Sequence, residues 1–234
     1  MTEPRFYAKP AAHRLRLEVA PALASWDKVG SPGRVRMEAF IDHIDDVAAS
    51  GIAATPGPLA ISLEIGLPEA VPLLALNDLD NYLFPLVPVL AKRTGRQFVS
   101  AWAVKRHAAE SHVTVGSAVS VPDPGGARSF RVKTSASYET RSYKEEIRDQ
   151  VAAATPLPDG SVILQIAFTV GPGRTWPNLW KPTIDALGPI LGRDDGAQEW
   201  NIRDGRVTEL GLHGCVDTSA GRDVVMAIRA DSQP

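Results

Sequence analysis

The sequence predicts an α+β protein in which two copies of one small domain follow each other in a single chain. Three observations lead to this prediction. The same order of strands and helices occurs twice, a segment rich in proline and glycine separates the two occurrences, and each half contains an apolar helix that begins near an asparagine. Two domains of about 110 residues each fit the usual size range. The predicted copies are residues 1–121 and 129–234, each a mixed β-sheet with helices, and residues 122–128 form the linker.

The elements of the first half follow from its apolar periodicity. Leu15, Leu17 and Val19 alternate with polar residues and predict a strand. Apolar residues then recur at helical spacing, and alternation resumes behind a Pro-Gly pair. The predicted elements are strand 14–20, helix 36–49, strand 57–67, helix 78–93, strand 99–105 and strand 112–119.

The second half repeats this order behind the linker. Phe130 and Val132 begin a new alternation, and Tyr143, Ile147 and Val151 then share one helical face. The predicted elements are strand 129–138, helix 143–154, strand 159–170, helix 175–191 and strands 199–202, 207–214 and 224–230.

A shared proline strengthens the prediction of a tandem duplication. Asn81 and Asn178 are 97 positions apart, and each is followed four residues later by a proline, Pro85 or Pro182. Proline is tolerated in the first turns of a helix because the amides that it removes lack carbonyl partners there. The common position therefore indicates more than the ordinary alternation of strands and helices.

Composition narrows the class of protein. Hydrophobic residues make up 44% of the chain, charged residues 22%, and the formal net charge is -2, which is an ordinary globular balance. There is one cysteine, Cys215, so no intrachain disulfide is possible and a reducing compartment is expected. No apolar run approaches the roughly 18 residues of a membrane span, and the N-terminal residues do not resemble a signal peptide. We expect a cytoplasmic protein that has no membrane partner.

The segment NDLDN at positions 77–81 carries the most suggestive chemistry. Asp80 or Asn81 is a natural N-cap of the following helix, and Asn178 is the counterpart in the second half. Capping accounts for one acid but not for Asp78. Carboxylates two residues apart in an extended segment point to the same side, and Mg²⁺ prefers such hard oxygen ligands. Asp78 and Asp80 are therefore candidate metal ligands.

This segment resembles the motif of the RusA-type Holliday-junction resolvases, which runs Asp-x-Asp-Asn-x-x-Lys at the start of an apolar helix. A further acidic pair follows that helix in the family. The resemblance implies a small dimeric, Mg²⁺-dependent endonuclease that cuts four-way DNA junctions. It implies Asp78 and Asp80 as metal-binding and catalytic residues, and in this chain the two fused halves would form an intrachain pseudo-dimer that is monomeric in solution.

The match to the motif is divided between the two halves. Asp78, Asp80 and Asn81 match in the first half, but Phe84 stands where the family has lysine. The second half has the lysine and the acidic pair of the motif but not its two first acids. It retains Asn178, the catalytic candidate Lys181 and the acidic pair Asp194 and Asp195 as metal-ligand candidates, whereas Thr175 and Pro177 replace the two motif acids.

Three interpretations of the divided motif remain open. In the first, both halves have lost catalysis and the protein binds DNA or protein. In the second, one site is assembled from Asp78 and Asp80 together with Lys181 and Asp194 or Asp195. In the third, the first half works alone with a substitute acid, Glu64 or Glu110. The two function classes are thus a Mg²⁺-dependent, structure-specific endonuclease and a non-catalytic protein that binds branched DNA or another protein.

Basic residues follow the first apolar helix. From Lys92 to Arg148 there are eleven bases and five acids, and this excess would suit phosphate contacts or would simply form a solvated surface. The candidate DNA-binding residues are Lys92, Arg93, Arg96, Lys105, Arg106 and Arg174. Trp176 and Trp180 flank Asn178 and are candidates either for stacking on an exposed base or for core packing.

Overall fold

The computed structural model describes residues 2–233, and in this range the chain forms one eight-stranded mixed sheet and one two-stranded sheet. The strands are β1 (Phe6–Tyr7), β2 (Leu15–Arg16), β3 (Leu59–Leu67), β4 (Phe98–His107), β5 (His112–Ser117), β6 (Ser120–Val121), β7 (Arg128–Thr134), β8 (Val162–Val170), β9 (Val207–Val216) and β10 (Val224–Ser232). Their order in the large sheet is β2-β5-β3-β4-β9-β8-β10-β7, and β1 pairs with β6. The α+β class predicted from the sequence is confirmed.

The two halves of the large sheet have the same connectivity when each is read from its outer edge. The order β2-β5-β3-β4 in the first half corresponds to β7-β10-β8-β9 in the second. The third pair of each half is parallel, β3 with β4 and β8 with β9, and the other pairs within the halves are antiparallel. Strands β4 and β9 join the halves as an antiparallel pair at the centre. The connectivity therefore has an approximate twofold relation between β4 and β9.

The helices pack against one face of the large sheet. They are α1 (Pro32–Ala54), α2 (Asp80–Thr94), α3 (Arg141–Val151), α4 (Trp180–Asp185) and α5 (Gly188–Leu191), and α4 is preceded by a 3₁₀ turn at Trp176–Leu179. The apolar residues of the strands alternate toward the helices, as in Ile61, Ile166 and Leu212, which are fully buried. Buried side chains from both halves form one continuous apolar core. No helix among residues 2–233 combines the length and the apolar character that crossing a membrane requires.

The opposite face of the sheet is crossed by the N-terminal residues. Phe6 packs there on Ala167 and Ala227, and the ammonium group of Lys9 lies 2.9 Å from the carboxylate of Glu209. The amide of Ala8 donates to the carbonyl of Val119 beside the β1–β6 pair. The N-terminal segment and the segment around β6 thus form a partial second layer.

Most of the predicted elements are confirmed, with shifted ends. The helices at 36–49 and 78–93 lie within or closely match α1 and α2, and the strands at 57–67 and 159–170 match β3 and β8. Helix α2 accommodates Pro85 because the carbonyl of Asn81, which has no proline amide to bind, accepts a hydrogen bond from the amide of Ala24 at 2.8 Å.

Three predicted elements differ most from the structure. The first strand, 14–20, shortens to Leu15–Arg16 at the sheet edge. The single helix predicted at 175–191 is broken into three short pieces, since Pro189 has no amide to continue the helix and starts α5 instead. The strand predicted at 199–202 is a turn, in which the amide of Asn201 donates to the carbonyl of Gln198.

Candidate functional site

The central strand pair brings acidic and basic residues of both halves together. Because β4 and β9 are antiparallel, the end of β4 lies beside the start of β9. The end of β3 is also at this edge, since β3 is parallel to β4, and the loop that follows β3 leads into α2. We call the resulting group the carboxylate–lysine cluster; its members are Asp78, Asp80 and Lys105 from the first half and Lys181, Asp185 and Asp204 from the second.

Lys181 is the principal positive charge of this cluster. Its Nζ lies 2.8 Å from Oδ2 of Asp204 and 3.2 Å from Oδ1 of Asp185. The second oxygen of Asp185 accepts from Lys144 of α3 at 3.0 Å. Burial lowers the pKa of Lys181, but the charges of Asp80, Asp204 and Asp185 outweigh burial and raise that pKa above its usual range. Lys181 is therefore a permanent cation held among carboxylates.

Asp80 is the most deeply buried acid of the cluster. Its side chain lies in the first turn of α2 and the residue is 2% exposed. Its Oδ2 has no hydrogen-bond partner among residues 2–233. Burial raises the pKa of Asp80 to about 7, although the nearby charge of Lys181 opposes this shift. Asp80 thus titrates near neutral pH, whereas an exposed aspartate would be fully ionised.

Asp78 is less buried and is held by a local contact. Its Oδ2 accepts a hydrogen bond from the side-chain amide of Asn81 at 3.3 Å. Burial raises the pKa of Asp78, and the negative charge of Asp204 raises it further. The Asp204 carboxylate of the second half therefore acts electrostatically on the Asp78 carboxylate of the first.

Lys105 ties the acidic segment to the turn before β9. Its Nζ donates to the carbonyl oxygens of Leu76 at 2.7 Å, Asn77 at 3.1 Å and Gly205 at 2.6 Å. Burial lowers the pKa of Lys105 to about 8, while the charges of Asp78 and Asp204 oppose the shift. A Cβ atom at Gly205 would lie 2.8 Å from the carbonyl carbon of Ala75, so the close approach of these two segments requires glycine.

The predicted metal ligands are not brought together as a set of four. Asp194 is exposed and lies 3.6 Å from the guanidinium of Arg203, and Asp195 is also exposed. Neither of them influences the pKa of Asp78 or Asp80. The acids of the second half that act on these two are Asp204 and, more weakly, Asp185. Asp204 is within reach because the turn before β9 reaches the other half, whereas the loop at 194–195 is exposed.

The side chains of the cluster do not fit a Mg²⁺ ion as they are arranged. Mg²⁺ requires near-octahedral coordination by oxygen ligands. Here oxygens of Asp204 and Asp185 are bound to lysine ammonium groups. Within residues 2–233 no three His, Cys, Asp or Glu side chains are arranged to hold a metal ion. Charge in this site is compensated by lysine.

The two substitute acids are also engaged by basic residues. Oε2 of Glu64 lies 2.8 Å from Arg14 and 2.7 Å from Arg106, and Glu110 lies 3.0 Å from Arg16. Neither acid influences the pKa of Asp78 or Asp80. The structure therefore does not bring a substitute acid to the motif of the first half.

The predicted capping roles of Asn81 and Asn178 are wrong. Helix α2 begins at Asp80 behind Leu79, which forms no side-chain cap, so Asn81 already lies inside the first turn. Asn178 lies within the 3₁₀ turn, and its side-chain amide donates to the hydroxyl of Tyr138 at 3.3 Å. Each asparagine lies one or more residues past the N-cap position, so its side-chain oxygen does not accept hydrogen bonds from the free backbone amides at the start of its helix.

Most of the predicted DNA-binding residues have partners within the protein. Lys105 is buried in the cluster, Arg93 pairs with Asp42 at 2.8 Å and with Asp45, and Arg106 pairs with Glu64. The guanidinium of Arg96 donates to backbone carbonyls at the end of α1, and that of Arg174 to the carbonyls of residues 135 and 136. Lys92 is exposed and forms no ion pair or hydrogen bond within residues 2–233. The stretch from Lys92 to Arg106 consequently offers few free cations to a phosphate backbone, whereas the charge of Arg174 is not paired with an acid in the described part of the chain.

The two tryptophans belong to the core. Trp180 is fully buried, and the rings of Trp176 and Trp180 meet edge to face with their centroids 4.9 Å apart. A Cβ atom at Gly214 would lie 2.5 Å from the ring of Trp176, so this ring covers the backbone of β9. Of the two interpretations, packing describes both side chains.

The sequence reasoning missed Asp185 and Asp204. Asp185 follows Lys181 by four residues, a spacing that places the two side chains on one helical face and that was a usable signal. Asp204 has no such local signal, since its position depends on the pairing of β4 with β9.

The sequence matches no protein-family model, and no curated protein matches it. Proposals on function therefore depend on the fold and on the carboxylate–lysine cluster.

Proposed function

We propose that this chain is a non-catalytic protein-interaction protein made of two fused resolvase-like halves, which form a pseudo-dimer within one molecule. The observation that carries the proposal is the position of Lys181, whose ammonium group lies 2.8 Å from Asp204 and 3.2 Å from Asp185. An internal cation thus neutralises two carboxylates that act electrostatically on Asp78 and Asp80, the acids that the resemblance assigns to the metal.

Metal-dependent phosphodiester hydrolysis needs an ion that polarises the phosphate and activates water. In this chain an incoming Mg²⁺ would have to displace Lys181 from Asp204 and also draw on Asp80, which is 2% exposed. Both steps oppose binding, because a displaced ammonium and a newly charged buried carboxylate lose their compensation. In this proposal the chain keeps the resolvase-like fold but has lost metal-dependent phosphodiester hydrolysis.

A tandem duplication is part of the proposal and is supported by connectivity. The strand order of each half, counted from the outer edge, is the same, and equivalent strands β4 and β9 meet at the centre. The carboxylate–lysine cluster uses acids of the first half and the motif lysine of the second, which is how a divided motif can persist in a fused pair.

A protein partner is favoured over branched DNA by the surface. The predicted basic run is largely consumed by internal contacts, whereas Trp26 and Val29 are 76% and 87% exposed. Beside Trp26 an open groove of about 490 Å³ runs between α1 and α2, with Met37, Phe84 and Val89 in its walls. Exposed large apolar side chains next to such a groove are typical of protein-interaction surfaces.

The experiment is a gel shift of a four-way DNA junction against linear duplex of equal length, in Ca²⁺ at low salt, followed by incubation in Mg²⁺. The proposal expects no preference for the junction and no cleavage. Junction-specific cleavage would overturn it. In parallel, Trp26→Ser is expected to reduce co-purification of a partner from the native host, with the exposed-lysine variant Lys92→Ser as the matched control.

A second candidate is a Mg²⁺-dependent junction endonuclease with one composite site, and the position of Asp204 favours it. This third carboxylate of the opposite half acts on both Asp78 and Asp80. If cleavage occurs, Asp204→Asn should abolish it, whereas Asp194→Asn should not.

A further inference from the structure

In the second half, the segment that corresponds to the acidic segment 77–81 is 174–178. It borders an open cavity and not a cluster of charged side chains. Its volume is about 530 Å³, within the range of small-molecule sites. It is lined by residues 135, 137–138, 173–175, 178–179 and 221–222, and none of these residues is acidic. Thr175, which stands where the first half has Asp78, is part of this lining.

Arg174 presents a fixed guanidinium group to this cavity. Two of its N–H groups donate to the carbonyl oxygens of Ser135 at 2.7 Å and Ala136 at 2.8 Å. A guanidinium has five N–H donors in a planar fork, so three remain after these bonds. No carboxylate among residues 2–233 forms an ion pair with Arg174. Its charge is therefore held in place by neutral backbone oxygens and is not cancelled by an acid.

Arg222 contributes a second positive charge from a well-built turn. The carboxylate of Asp217 accepts from the amide of Ser219 at 2.8 Å and from its hydroxyl at 2.7 Å. The amide of Ala220 donates to the carbonyl of Asp217, which closes the turn just before Arg222. Arg222 itself is exposed and has no ion-pair or hydrogen-bond partner in the described part of the chain.

Neutral donors complete the lining. The side-chain amide of Asn178 lies 3.3 Å from the hydroxyl of Tyr138. The hydroxyls of Ser137 and Thr175 make no hydrogen bond within residues 2–233. Two guanidinium groups, an amide and several hydroxyls without any carboxylate form a set of donors that suits an anion with many acceptor oxygens.

We propose that this cavity binds the phosphate group of a phosphate ester. A guanidinium can bind two phosphate oxygens at once, and Arg174 and Arg222 supply two such groups. The cavity is several times larger than a phosphate group alone, and the ring of Tyr138 offers an apolar surface to an attached organic group. A free nucleotide and the backbone of a single-stranded polynucleotide share this chemistry. The proposal does not depend on the proposed function.

The test is calorimetric titration of the full chain with three probes at low salt and without divalent metal. Thymidine 5′-monophosphate is expected to bind and thymidine is not. A short oligothymidylate distinguishes the source: binding much tighter than that of the nucleotide indicates a polynucleotide, and equal or weaker binding indicates a free nucleotide. If neither phosphate-bearing probe binds, or if thymidine binds as well as its monophosphate, the proposal is wrong.

The decisive variant is Arg222→Gln, because the exposed side chain of Arg222 forms no hydrogen bond or ion pair within residues 2–233. Loss of a charge-assisted hydrogen bond is expected to weaken binding about tenfold or more. Arg36→Gln is the control, since Arg36 is exposed on α1 and the variant changes net charge equally. An equal loss in both variants, or no loss in Arg222→Gln, contradicts the proposal. Because these titrations use neither metal nor junction DNA, their failure is distinct from failure of the proposed function.

Discussion

Ser100 and His213 lie directly opposite each other on the two central strands, and Oγ of Ser100 is 3.1 Å from Nδ1 of His213. The imidazole is fully buried beneath the N-terminal segment, with the rings of Phe6, Tyr7 and Trp102 between 5.2 and 6.0 Å from its centroid. Its Nε2 has no hydrogen-bond partner among residues 2–233. The junction of the two halves on this face thus encloses a neutral histidine.

Because His213 is buried, the free energy of unfolding is expected to depend on pH. Burial lowers the pKa of His213 from 6.5 to about 3. Between these values the unfolded chain binds a proton at this residue and the folded chain does not, so the free energy of unfolding falls as pH falls. The expected slope is about 1.4 kcal/mol per pH unit for a single group. Relative to the wild type, His213→Gln should therefore gain stability by this amount per unit as pH falls, as measured by urea denaturation of both proteins at several pH values between 4 and 6.5.

A uniform loss of stability in His213→Gln at every pH would reflect packing and does not bear on the slope. The prediction is wrong if the pH dependence of the variant equals that of the wild type.

Asp80 is expected to have the opposite effect. Burial raises its folded pKa from 3.8 to about 7, so between these values the folded chain holds a proton that the unfolded chain has released. Its contribution is complete below pH 3.8 and is lost as pH rises through about 7. Compared with the wild type, Asp80→Asn should therefore gain stability as pH rises across this window. Denaturation of both proteins at pH 5 and pH 8 measures the difference.

The same measurement has an internal control. Asp78→Asn is a matched change two residues away at a less buried acid, and it should alter the slope less. If the two asparagine variants behave alike, burial of Asp80 is not the cause.

Lys181→Met tests the role of the ammonium group within the carboxylate–lysine cluster. Methionine keeps an apolar stem but leaves Asp204 and Asp185 without their shared cation. We expect a loss of about 1–2 kcal/mol in the free energy of unfolding at pH 7, less than for a fully buried pair because the lysine side chain is 40% exposed. Mg²⁺ should then raise the melting temperature of this variant more than that of the wild type.

Lys92→Met is the control for Lys181→Met, since Lys92 is an exposed helical lysine. Equal losses in the two variants, or an equal effect of Mg²⁺ on wild type and Lys181→Met, would show that Lys181 does not serve as the counter-ion.

Gly205→Ala tests the close approach that Lys105 stabilises. A Cβ atom would lie 2.8 Å from the carbonyl carbon of Ala75, where only backbone movement can relieve the clash. We expect a loss of about 1–3 kcal/mol, the range for overpacking. Gly51→Ala in α1 is the matched control, because nothing lies within 4 Å of a Cβ there, and it should stabilise by roughly 0.5–1 kcal/mol. Thermal denaturation of both variants decides; a loss at Gly51 as large as at Gly205 would contradict the prediction.

Elements with strong local periodicity could be predicted from the sequence. The apolar stripe of α1 and the alternation in β3 and β8 depend on residues near one another in the chain, and the structure confirms them. The helix predicted at 175–191 was wrong, because its apolar spacing indicates a helix while Pro189 interrupts the backbone hydrogen bonds.

Some residues of the candidate site could likewise be predicted from the sequence, and others could not. Asp78 and Asp80 were identified by residue type and spacing and Lys181 by the resemblance to the resolvase motif, whereas Asp204 was not identified and Lys105 was assigned to the surface. A lysine in a strand gives no sign of being buried; here its burial depends on the three carbonyl oxygens that Leu76, Asn77 and Gly205 supply.

By itself, the sequence determined the α+β class, most of the helices and strands, and the residues with suggestive chemistry, since all of these depend on the order and spacing of neighbouring side chains. The tertiary structure alone decided that acids of the first half meet a lysine of the second. That meeting follows from the antiparallel pairing of β4 and β9, which joins residues about 100 positions apart in the chain and leaves no periodic pattern in the sequence.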